Sequence, residues 1–134
     1  MSTLKVDNLL NAAGNQSPIS VPGAAKAWVD FNGKTGTLNQ SNVTIRGSYN
    51  VSSVTDNGTG DYTVNFSNNM TDTNYCVSGT VADLGSGSGH RWLSIGSGSY
   101  GAFAKSTSSM RVHAVYDASN KLDADHVFVV IHGN

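Results

Sequence analysis

Apolar and polar positions alternate at period two in a series of short runs along this chain. Ala27, Val29 and Phe31 share one parity while Lys26, Trp28 and Asp30 take the other, and Tyr62, Val64 and Phe66 alternate with Thr63 and Asn65. Successive strand side chains point to opposite faces, so each run predicts a strand with one apolar face. The series Val43, Ile45, Gly47, Tyr49 and Val51 predicts one long strand that leads into a hairpin over Tyr49–Phe66. Its reversal is the tract from Asp56 to Asp61, where Asn57, Gly58 and Gly60 supply backbone that tolerates positive φ. That tract exceeds the two-residue ideal, which predicts a wide or bulged turn.

Further along, Ser67–Asp72 reads as a loop with room for one helical turn, and Tyr75, Val77 and Val81 alternate with Ser78 and Thr80. Two Gly/Ser runs bracket Trp92–Ile95, which predicts loop, short strand, loop, and a strand begins over Ala102–Lys105. Met110, Val112, Ala114 and Tyr116 alternate with Arg111 and His113. The closing run His126–His132 is apolar at both parities, which predicts a strand covered on both sides. About seven to nine strands with turn signals at roughly ten-residue spacing make the fold class all-β, an antiparallel β-sandwich of jelly-roll-like kind over residues 25–134.

Residues 1–24 differ from this pattern. Leu4, Val6, Leu9, Leu10, Ile19 and Val21 are scattered over an irregular segment that also holds both prolines of the chain, Pro18 and Pro22. Proline restricts regular pairing. The segment is expected either to pair with the domain's own sheet or to act as an assembly arm that reaches a neighbouring subunit.

Composition narrows the function classes. Only 13% of residues are charged and the formal net charge is -1, so nothing attracts nucleic acid or an anionic membrane over long range. The single cysteine, Cys76, excludes an intrachain disulfide and a multi-thiol zinc site. No run is long enough for a membrane-spanning helix, and the N-terminus lacks a basic-then-apolar signal pattern, so synthesis in a cytosol without a cleaved signal is expected.

Candidate chemistry is sparse. His126 and His132 share a parity but stand six residues apart, too far along a straight strand to hold one ion together. His113 could approach them across a sheet, yet surface or interfacial histidines account for the pattern more simply, and no metal or cofactor is expected. Asp56 and Asp61 flank the hairpin reversal, where Asx capping explains them better than calcium. No paired-carboxylate or Gly-X-Ser-X-Gly constellation can be placed, and the Gly/Ser tract at 85–89 lacks the lysine and helix of a phosphate loop. The best binding candidate is His90, Arg91 and Trp92 with Tyr100 across the second Gly/Ser run. An aromatic plane, a guanidinium and hydrogen-bonding tips on loops suit stacking on a sugar or packing on a protein.

Two stretches, Ala25–Gly33 (AKAWVDFNG) and Ser48–Phe66 (SYNVSSVTDNGTGDYTVNF), together resemble a recurring block in virion proteins of tailed bacteriophages, especially tail-fibre and tail proteins. The opening Met1–Asp7 is also similar to the start of such proteins. The resemblance covers about half of the chain and nothing from Gly85 onward. It implies a non-enzymatic structural protein on the particle exterior, a homotrimer that binds host surface glycans or proteins, with attachment to other virion proteins through residues 1–24. Small trimeric capsid decoration (cement) proteins share this build and form the alternative. A glycan-degrading enzyme ranks third.

Overall fold

The computed structural model describes residues 24–85, 89–96, 103–117 and 120–133. Among the described residues nine strands run: β1 Ala25–Asn32, β2 Thr44–Tyr49, β3 Val51–Gly58, β4 Asp61–Phe66, β5 Cys76–Ala82, β6 Arg91–Ser94, β7 Ser109–Tyr116, β8 Asn120–Lys121 and β9 His126–His132. They form two antiparallel sheets packed face to face. The first has the order β2-β1-β9-β5 and the second β3-β4-β7-β6, with β8 paired to β7. Among the described residues there is no helix, so the loop at 67–72 has no helical turn. The all-β sandwich expected from the alternation is what the chain adopts. The arm residues Leu4, Val6, Leu9, Leu10, Ile19 and Val21 lie outside the described residues.

The core follows the period-two runs. Ala27, Val29 and Phe31 of β1, Tyr62, Val64 and Phe66 of β4, and Met110, Val112 and Ala114 of β7 are all buried, as are Val127, Val129 and Ile131 of β9. Phe31 meets Tyr62 edge-on across the layers with centroids 4.9 Å apart, a favoured aromatic geometry. The Tyr62 hydroxyl, with its one proton, stands between two acceptors, Gly33 O (2.9 Å) and Asp123 Oδ1 (2.8 Å), which ties β4 to the loops that flank the first sheet. Burial, followed by the Asp123 hydrogen bond, pushes that phenol far above its ordinary pKa.

Three details depart from the alternation. The long strand expected over 43–51 is broken at Asn50, whose φ is 55°. Asparagine is among the few side chains that enter this left-handed region readily. Its side chain pins the corner: Nδ2 donates to Lys26 O (3.0 Å) and Asn68 O (3.1 Å), and Oδ1 accepts from Asn68 N (2.8 Å). The chain therefore leaves the first sheet with Tyr49 and enters the second with Val51.

The second departure is a bulge at Arg46. Phe31 faces Ile45 but Asp30 faces Gly47 and Trp28 faces Tyr49, so one extra residue flips the parity of β2. Tyr49, expected inside, is exposed. The third lies in the last two long strands. In β7, Val115 and His113 are buried and Tyr116 is exposed, against the simple alternation. In β9 only the inner face is sealed, and Phe128 and Val130 stay half-buried on the outer face instead of covered. Lys105, expected within a strand, makes only an isolated bridge to Met110.

The hairpin reverses through a bulge, one of the two forms its sequence predicts. Gly58 pairs with Asp61 across Thr59 and Gly60, and the surplus residue is absorbed by a bulge between Asp56 and Gly58. Asp56 Oδ1 accepts from Gly58 N at 2.8 Å, the Asx capping expected there.

Candidate functional site

Among the described residues, three places bring chemistry-bearing side chains together. The first is the loop-and-strand group singled out from sequence. His90 is exposed, and Arg91 and Trp92 are half-buried on β6; Tyr100 lies outside the described residues. The Arg91 guanidinium is already engaged: Nη2 donates to Asp83 Oδ2 (3.1 Å) and Nη1 to Gly89 O (3.1 Å). Asp83 also receives Lys34 Nζ at 2.7 Å, and Lys34 reaches Asp125 Oδ2 at 2.8 Å. Lys34 and Arg91 hold the Asp83 carboxyl well below the ordinary carboxylate range, with the Lys34 hydrogen bond the larger influence. This group therefore staples the loops at one end of the sandwich.

The second place is an ionic cluster on the outer side of the second sheet, which the sequence reading missed. Asp61 faces His113 across β4 and β7, and its carboxylate is 4% exposed. Arg111 grips it with two parallel bonds, Nε to Oδ1 and Nη2 to Oδ2, each 2.8 Å, and Lys121 Nζ adds a third at 3.1 Å. Burial raises the Asp61 pKa, but the Arg111 and Lys121 hydrogen bonds outweigh it and hold the group at about 2. His113 is fully buried, a correction to its reading as a surface or interfacial histidine. Its Nε2 stands 3.5 Å from Asp61 Oδ1, too long for a good hydrogen bond, and neither ring nitrogen has a partner among the described residues. Desolvation lowers its pKa, so the ring is neutral at neutral pH. His113 is thus sealed from solvent, and the Asp61 carboxylate beside it is already paired. The ring does not approach His126 and His132, which lie on the other sheet. Among the described residues, no group of three or more His, Cys, Asp or Glu side chains could hold a metal ion.

The third place is the outer face of the first sheet. Trp28 and Tyr49 are cross-strand partners there, 41% and 55% exposed. A Cβ added to Gly47 would stand 3.3 Å from Trp28 Cζ3 and 3.5 Å from Cη2, so the far edge of the indole lies over the bare glycine of β2. The next row along the strands is polar. Asp30 Oδ1 is 3.1 Å from His126 Nδ1 and 3.8 Å from Arg46 Nη1, and Arg46 Nη1 donates to Asp125 O at 2.6 Å. The His126 ring stacks on Phe128 with centroids 5.4 Å apart and planes 10° from parallel. Sequence reading treated Tyr49 as core because the bulge at Arg46 has no signature of its own. Gly47 inside a strand was the available signal, since an interior strand glycine marks a bulge or a close approach.

No protein-family model, curated protein or solved structure matches the chain. No helix among the described residues is long and apolar enough to cross a membrane.

Proposed function

We propose that this chain is a non-enzymatic structural protein on the exterior of a tailed-phage particle, a homotrimeric tail-fibre component that contacts the host surface. The observation that carries this reading is the placement of the block that resembles phage tail proteins. Its inward residues build the core, while its Trp28 and Tyr49 are turned out to solvent as cross-strand partners on the first sheet. Large exposed aromatics on a rigid scaffold are a feature of recognition surfaces. The ionic clusters support a non-catalytic role as well, because Asp61, Asp83 and Asp125 are each committed to lysine or arginine partners.

Counting copies of the chain in purified particles by quantitative mass spectrometry tests the location. A handful per particle is expected. Hundreds would move the protein to the capsid as a decoration protein, and none would overturn the virion reading. In solution, light scattering is expected to give three times the 14.0 kDa chain mass. A monomer at micromolar concentration would contradict the trimer.

A further inference from the structure

We infer that the outer face of the first sheet is a sugar-binding site, in which a pyranose ring stacks on Trp28 and Tyr49 and its hydroxyls bond to Arg46, Asp30 and His126. The inference deepens the recognition reading and rests on it for the biological source of the glycan. The chemistry stands on side chains alone. One face of a pyranose presents a patch of C–H bonds whose positive polarisation suits the negative face of an aromatic ring, while its rim carries hydroxyls that need both donors and acceptors. Trp28 and Tyr49 supply the apolar plane.

The polar row supplies the rest. Asp30 is an acceptor and is 23% exposed; Arg46 is a donor at 33%, and His126, 29% exposed, offers the lone pair of Nε2 once Nδ1–H faces Asp30. Arg46 Nη1 is held by Asp125 O and His126 Nδ1 by Asp30, which fixes both side chains in place. Arg46 Nη2 and Nε and His126 Nε2 make no hydrogen bond among the described residues, so each can serve a hydroxyl. Pre-placed polar groups beside an apolar platform fix a ligand's orientation.

A protein partner fits this face less well. If each aromatic side chain carries ~150–250 Å², Trp28 and Tyr49 together show roughly 200 Å². A stable protein interface takes about 800 Å² from each side. Beyond Val130 and Phe128 of β9, the opposite edge strand β5 offers exposed Ser78 and Thr80 on the same sheet, which would dilute an apolar interface and which a hydrated glycan tolerates.

The test uses the full chain on an array of purified bacterial capsular and O-antigen polysaccharides, with affinities measured by tryptophan fluorescence titration. Wild type should bind at least one polysaccharide. Trp28→Ala should weaken that binding at least tenfold, and Phe103→Ala, which removes an aromatic 58% exposed elsewhere, should leave it unchanged. Circular dichroism melting of each variant confirms folding, and Tyr49→Phe with Arg46→Gln gives a second pair that keeps the platform's bulk. Binding to no polysaccharide, or equal binding by wild type and Trp28→Ala, would overturn the inference. So would an oligomer that Trp28→Ala dissociates, because the face would then belong to a second copy. The array needs no phage particle, so glycan binding by a chain absent from virions would sink the location and leave the site standing.

Discussion

Asp61→Asn should destabilise the fold by about 3 kcal/mol, because it leaves Arg111 and Lys121 directed at a neutral amide in a nearly sealed place. The two cations are partly solvated, at 29% and 31% exposure, which keeps the expected cost at the low end for a broken buried pair. Urea unfolding at neutral pH measures it, and a loss below about 1 kcal/mol would show that the cluster contributes no more than a surface pair. The same carboxylate sets an acid limit. Its folded pKa of about 2 lies below the ordinary 3.8, so its stabilisation is fully present above pH 3.8 and is lost as pH falls towards 2. His113 acts earlier and with the same sign. Burial depresses its pKa below 6.5, so the neutral ring's contribution is present above that value and declines as pH falls through the folded pKa. Wild type should therefore lose stability in two stages on acidification, and in Asp61→Asn the lower one should shrink to the part that Asp83 contributes.

Gly60→Ala is the second change with a large expected effect. Gly60 has φ of 59°, and an added Cβ would stand 2.6 Å from Ala114 O and from Leu122 N, both of them backbone atoms that cannot swing away. The left-handed conformation costs alanine roughly 1–2 kcal/mol and overpacking typically adds 1–3, so a loss of about 3 kcal/mol is expected. Gly60 also holds the turn in place: its N–H donates to Asp123 Oδ1 (2.7 Å) and its carbonyl accepts from Ala114 N (2.9 Å). The adjacent Thr59 is exposed, and Thr59→Ala should stay within about 0.5 kcal/mol. Equal melting temperatures for the two variants would contradict the packing described around the hairpin.

How much of this was legible beforehand depends on which interactions are local. Runs such as Ala27-Trp28-Val29 and Tyr62-Thr63-Val64 carry their inside and outside in their parity, so strands and core could be read directly. Parity is only as good as the strand's continuity. One asparagine at a left-handed φ sent Tyr49 and Val51 to different sheets, and one bulge residue, Arg46, turned Tyr49 outward. The Asp61 cluster needed the register between β4 and β7, fixed by residues about fifty positions apart, which no local pattern encodes. Polar character misled at His113, where an alternation with Arg111 suggested a solvent face although the ring is buried. Trp28 is exposed and Trp92 is half-buried, a difference that alternation does not encode because exposure is a property of the neighbours opposite.

Competition for host adsorption tests the central claim most directly. Soluble wild-type protein, added to host cells before the phage, should slow adsorption in proportion to its concentration, and Trp28→Ala should slow it far less. Unchanged adsorption with saturating wild-type protein would contradict a host-contacting role for this chain.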